Sequence, residues 1–242
     1  MKRLTLLALL LSSCAPRPAT QLTVAAAADL NFALEEIARP FRDAHPGVDL
    51  RIAYGSSGNF FTQIRNQAPF DLLLSADIDY PRRLAASPAA VFTYAVGRIV
   101  VWVPAGSPLD PATALRAPGL RRLAIANPEH APYGRAAQAA LRALGLYDSL
   151  QPKLVLGESI AQTFQFVQSG AADAGIVALS LAMAPKVRSE GRYWEVPQTL
   201  FPKLEQGGLI LKDSRLARDF RDLLLSPAGR RILRQYGFSD QP

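Results

Sequence analysis

In its 242 residues the chain has one cysteine, two histidines, two methionines and two tryptophans. One cysteine rules out an internal disulfide. The two histidines stand far apart, and no cluster of His, Cys and carboxylate has metal-ligand spacing, which argues against a protein-ligated metal cation. His45 sits in DAHPG, a helix end where a cation suits the dipole. His130 lies in a loop, open to a supporting role or to water. The nucleophile elbow G-x-S-x-G is missing as well: around Ser57 the second glycine stands at 58 instead of 59, so the serine-hydrolase pattern fails. Few aromatics lie between the scattered arginines, whose only clusters are pairs at 82–83, 121–122 and 230–231. That argues against a nucleic-acid stripe. Trp102 and Trp194 fall in strand-like segments and read as core.

The chain opens with MKRLTLLALLLSS, two early positive charges and an apolar stretch too short to span a bilayer. Residues 1–13 therefore read as an export signal to be set aside from the fold. The following Leu11-Ser12-Ser13-Cys14 resembles the lipobox of bacterial lipoproteins, where cleavage precedes the cysteine and lipid joins its sulfur. Cys14 is thus the expected lipid anchor, and residues 14–20 a short tether of Pro and small residues. The formal charge is +7, and 25 basic residues face 20 acidic ones once Lys2 and Arg3 leave with the signal. A mildly positive field suits an anionic partner, although arginine spread over the surface explains it as simply.

The remaining length, about 230 residues, is ample for one large or two small domains. Short apolar runs alternate with helical patterns. Strands are expected at 22–28, 48–54, 71–75, 98–103, 122–126, 153–156, 174–178 and 207–212. Several are apolar throughout, as strands covered on both faces must be. Helices are expected at 30–44, with Leu34, Ile37 and Phe41 in register, and at 57–67, 133–144 and 160–169, the last two closed by Gly145 and Gly170. Ser214 and Ser226-Pro227 open two more in the tail. The pattern is α/β with mostly parallel sheets flanked by helices.

In such folds ligands sit beyond the carboxyl ends of strands, at helix N-termini. Four junctions carry suggestive residues: Ala27-Ala28-Asp29, Gly55-Ser56-Ser57-Gly58, Asn127 to Gly134, and Gly157-Glu158-Ser159-Ile160. Each offers unpaired N–H donors at a positive dipole end, the chemistry an oxyanion needs. At the second, one serine is free to cap the helix and the other to turn its hydroxyl inward, or both cap and turn.

The blocks LTVAAAADL (22–30), YGSSGNF (54–60), QIRNQAPFDLLLSAD (63–77), AIANPEHAPYG (124–134), GES-IAQ (157–162), DAGIVALS (173–180) and EQGGLILKDS (205–214), in this order and spacing, resemble the periplasmic molybdate-binding proteins of ABC importers. The resemblance implies the type II periplasmic-binding-protein fold, two α/β lobes with a ligand cleft between them. The first lobe would comprise 21–95 and 198–242, the second 96–197. It implies a periplasmic or cell-surface, lipid-anchored monomer that captures molybdate, and tungstate with it, for an ABC permease and its ATPase. Neither a cofactor nor an enzymatic activity is expected.

Carried over by position, the ligand contacts fall on Ala28 and Asp29, on Ser57, and on the backbone N–H groups of Tyr133 and Ile160. Some members place a serine where this chain has Asp29, and some present a tyrosine hydroxyl where it has Ala178. Asp29 is the awkward residue: ionised at about 4 Å from a dianion it would cost on the order of 8 kcal/mol at an effective dielectric of 20. The expected resolution is that its side chain caps the helix starting near Leu30 while its backbone N–H faces the ion. The alternative is a proton on the carboxyl or on the ligand.

None of the expected contacts is an arginine, so helix termini and hydroxyls would hold the charge. Fixed donors select by size, leaving the smaller sulfate too distant while molybdate and tungstate stay nearly equivalent. Two other readings remain: a binding protein for a different solute, such as phosphate, sulfate or an iron–anion complex held by Tyr133 and Tyr147, and an enzyme on the same architecture, for which Glu158 is the one cleft candidate.

Overall fold

A computed structural model of the chain describes residues 20–240. The expected signal and Cys14 lie outside the described residues. The chain opens with β1 (Thr20–Ala27), α1 (Asn31–Ala44), β2 (Val48–Gly55), α2 (Ser57–Arg65), β3 (Leu72–Ser75), α3 (Asp79–Leu84) and β4 (Val91–Gly97). After one intervening residue come β5 (Ile99–Pro104), β6 (Leu123–Ala126), α4 (Pro132–Ala143), α5 (Tyr147–Leu150), β7 (Leu154–Gly157), α6 (Ile160–Gln168), β8 (Ala174–Ala178), α7 (Leu179–Ala182) and β9 (Gly191–Glu195). The chain then returns through β10 (Leu204–Ile210) and ends in α8 (Arg215–Leu225) and α9 (Pro227–Gln235).

The strands form two five-stranded sheets, ordered β2-β1-β3-β10-β4 and β7-β6-β8-β5-β9. We use first and second lobe for these sheets with their helices. In each, three strands run parallel (β2-β1-β3 and β7-β6-β8), while the pairs made by β10 and by β5 are antiparallel. The sheets are therefore mixed, because the strands that carry the chain across and back enter against the grain of the βαβ units. Two of these antiparallel strands, β4 and β9, have half-exposed residues and lack the continuous apolar run that marks the buried strands. The sequence pattern passes over both.

The apolar runs have the expected cause. Leu72 and Leu74 join the main core with Leu34, Ile37 and Phe41 of α1, while Leu73, between them, packs with Ala25 and Phe60 beneath α2. Both faces of β3 are covered, so no polar residue has a place to point. Trp102 on β5 is fully buried, edge-on to Phe164 at 4.9 Å. Trp194, expected in the core, is only half-buried, because β9 is an edge strand.

The N-terminal helix corrects a second expectation. Asp29 caps nothing. It lies in a single 3-10 turn, Ala28–Leu30, and α1 begins after Leu30 with no side-chain cap. The turn aims the carboxylate away from α1, toward donors on α4 and β10.

Candidate functional site

The carboxyl ends of β1, β2, β6 and β7 face one another across the two lobes. On β2, Gly55 leads to Ser56, whose side chain accepts the N–H of Asn59 and so caps α2. Ser57, the first helical residue, does not cap. Its Oγ accepts the N–H of Ala76 at 3.0 Å in a buried setting, which leaves the hydroxyl hydrogen for another partner. On β7 the same design recurs: Ser159 caps α6 through the N–H of Gln162, and Ile160 occupies the first helical position. On β6, Pro132 opens α4 and places Tyr133 second.

Ala28, Asp29, Ser57, Tyr133 and Ile160 all line one cavity, joined by Ser56, Ala76 and Ala131. The five sit on three helix starts and one 3-10 turn. Ser57, Tyr133 and Ile160 stand in first turns, whose N–H groups have no intrahelical acceptor. Inside, the centre of a water-sized sphere has about 10 Å³ of freedom. This is room for one compact species and far below what an organic ligand requires. Among the described residues, Asp29 is the one carboxylate that lines it, and no cationic side chain does.

Sequence reasoning missed the buried polar cluster behind this cavity. Tyr133 donates its hydroxyl to Asp29 Oδ2 at 2.9 Å, and Gln206 donates its amide to the same oxygen at 2.5 Å and to Tyr133 Oη at 3.2 Å. Ser180 donates to the Asp29 carbonyl at 2.8 Å. A β-bulge at Gln206/Gly207, where the pairing skips Tyr94, sets these side chains locally. The expected strand began at 207 and left Gln206 outside it, whereas β10 runs from Leu204 and carries Gln206 inward. Burial pushes the Asp29 carboxyl up to about 6, tempered by Gln206, by Tyr133 and, more weakly, by the main-chain N–H groups of Asp29 and Leu30. Burial, with the charge of Asp29 adding to it, likewise raises the Tyr133 phenol.

Further contacts join the lobes around the cavity. The Gly58 N–H donates to the His130 carbonyl at 2.9 Å, and a Cβ on Gly58 would stand 2.5 Å from that oxygen. Only glycine permits this approach. Arg135 of α4 reaches Asp77 at 2.5 Å and the Tyr80 hydroxyl at 3.1 Å in the first lobe. It therefore braces the rim instead of facing the cavity. Glu158 is exposed and pairs with His130, turned away from any cleft chemistry. Ala178 is fully buried at the start of α7.

The profile of the bacterial extracellular solute-binding proteins matches residues 22–239. The molybdate-binding protein ModA of Rhodobacter capsulatus is 36% identical over 241 residues, covering 97% of this chain and 94% of that one. The chain belongs to this family of periplasmic molybdate-binding proteins. Among solved structures, the periplasmic molybdate-binding protein of Azotobacter vinelandii superposes with a TM-score of 0.83 at 32% identity, covering 91% of this chain and all of the other. The two-lobe type II fold is thereby established for the family member described here. YvgL of Bacillus subtilis, whose name includes "substrate-binding lipoprotein", is 29% identical over 227 residues, covering 90% of this chain and 86% of its own.

Proposed function

We propose that this family member captures molybdate, and tungstate with it, outside the cytoplasm and delivers the ion to an ABC permease and its ATPase. One observation carries the reading: five residues from four separate junctions line a single small cavity that has no cationic side chain. Main-chain N–H groups and the Ser57 hydroxyl then act as the donors, and a dry, fixed donor set selects by the size of the ion. The contacts that join the lobes support a cleft that closes on its ligand, between lobes drawn at 21–95 with 198–242 and at 96–197.

The protein works as a monomer, without cofactor and without catalysis. Cys14 carries the lipid that tethers it to the membrane, a reading supported by the name of the Bacillus relative. Calorimetric titration with molybdate, tungstate, sulfate and phosphate tests the ligand. Tight one-to-one binding of the first two with weak or no binding of the others is expected, and a preference for phosphate or sulfate would overturn it. Cys14→Ser should move the protein from the membrane fraction into the soluble extract.

A further inference from the structure

Two buried oxygens of the cluster lack a hydrogen-bond partner among the described residues, Asp29 Oδ1 and Gln206 Oε1, and of the two residues only Asp29 lines the cavity. It is 1% exposed, and its two oxygens differ. Oδ2 accepts both Tyr133 and Gln206, whereas Oδ1 is buried with no hydrogen-bond partner among the described residues. An ionised carboxylate so placed would hold bare negative charge in a dry site beside a dianion, the most costly arrangement available to it. A neutral acid solves both problems, since a proton on Oδ1 converts the unpartnered acceptor into an O–H donor.

We propose that Asp29 binds the oxyanion as a neutral acid, donating Oδ1–H to it, so that each ion captured takes up one proton from solvent and each ion released returns it. The proposal rests on the oxyanion reading above and adds to it a proton stoichiometry. Its geometry is fixed by neighbours. A Cβ at Gly97 would overlap the Tyr133 hydroxyl and the Gln206 amide, so glycine there leaves the space in which those two donors hold Oδ2. With Oδ2 so engaged, Oδ1 is the oxygen left for the ligand.

The surroundings favour the proton. Burial, even against the hydrogen bonds that favour the ion, lifts this carboxyl to about 6, and an adjacent dianion acts in the same direction. The titratable groups that act on it are Tyr133 from α4 and Tyr94 from β4, both kept neutral by burial. α7 and β10 contribute the uncharged Ser180 and Gln206, and no cation enters among the influences on the group. When the lobes part, Tyr133 leaves with the second lobe and water reaches the carboxyl. Its pKa then falls toward about 3.9, the proton departs, and the anion faces a negative charge where it had a donor. Opening thus expels the ion actively.

Titration calorimetry with molybdate at pH 6, 7 and 8, in buffers of different ionisation enthalpy, decides the matter. Uptake of about one proton per ion is expected in the wild type, with affinity falling about tenfold per pH unit. Asp29→Asn should show a flat affinity across this range and no proton uptake. Flat wild-type affinity without proton uptake overturns the proposal and leaves molybdate binding intact. A slope that persists in Asp29→Asn puts the proton elsewhere and overturns it equally. Absence of molybdate binding at every pH would instead refute the function itself. Should Asp29→Asn fail to fold, Asp29→Ser, which keeps a hydroxyl donor and cannot ionise as a carboxyl, takes its place in the same titrations, with the same flat affinity and absence of proton uptake expected and the same persisting slope overturning the proposal.

Discussion

The two lobes share a plan and divide the work. Each places beside its outermost parallel strand a second one, β1 or β6, each turns that outermost strand, β2 or β7, into a helix capped by a serine, and each offers the next residue to the cavity: Ser57 in one, Ile160 in the other. The main-chain N–H is common to both positions. Only the first lobe adds a hydroxyl there, held by the Ala76 N–H, and only the first supplies a carboxyl. The second lobe sends the Tyr133 side chain across to that carboxyl rather than to the ligand. Backbone donors are therefore the shared element of the site, and side-chain chemistry is concentrated on one side of it.

The comparison breaks most severely if the lobes cannot meet. Gly58→Val puts a side chain into the His130 carbonyl on closing. Affinity for molybdate should fall roughly a hundred-fold or more, since every second-lobe donor is forfeited and each charge-assisted bond is worth about 1.5–3 kcal/mol. Calorimetry reads the loss, and an unchanged small-angle scattering profile on adding ligand confirms its cause. Closed and open profiles that still differ in Gly58→Val would show that this contact does not set closure.

Ile160→Pro isolates the backbone donor of the second lobe. Proline is tolerated at the first position of a helix and removes the N–H, and Ile160→Ala, which keeps the N–H, controls for the lost packing of the buried side chain. The expected cost is about ten- to a hundred-fold in affinity, the value of one bond to a charged acceptor. Wild-type affinity in a folded Ile160→Pro would mean that this donor does not touch the ion.

The serines sharpen the division between structure and binding. Ser57→Ala should weaken binding about tenfold, again one charge-assisted bond. Ser56→Ala and Ser159→Ala should each cost about 1 kcal/mol of stability as lost helix caps, with affinity nearly kept. Thermal melts and titrations on the three variants separate these outcomes. If Ser56→Ala carries the large loss of affinity, the two hydroxyls have exchanged roles.

These positions also mark what could be read from the sequence. The buried strands announced themselves because a strand covered on both faces has only one residue class available, as Leu72 to Leu74 show. The four junctions were legible for a related reason: a helix start next to a ligand needs small residues and a cap, and Gly55-Ser56 or Ser159 advertise it. Edge strands β4 and β9 were not, since half-exposed residues leave no single pattern. The cluster of Asp29, Tyr133, Gln206 and Ser180 escaped because its members lie up to 177 residues apart: Asp29 and Gln206 meet across the first lobe, and Tyr133 and Ser180 reach Asp29 from the second. Local rules offered Asp29 a cap, and tertiary donors outcompeted it.

The smallest effect is expected at the rim. Arg135 bridges the lobes to Asp77 and Tyr80, yet its side chain and that of Asp77 remain 39% and 27% exposed. Water and salt screen such a pair, so its worth is about 0–1 kcal/mol. Arg135→Gln should lower affinity less than about fivefold, and most of that difference should vanish as ionic strength rises. The contrast with Ser57→Ala matters more than either value. One bond deep in the cavity, with its charge-bearing acceptor shielded from water, should outweigh two visible bonds at the edge. A loss in Arg135→Gln that equals the loss in Ser57→Ala, and that survives high salt, would place the closing energy at the rim instead of at the ion.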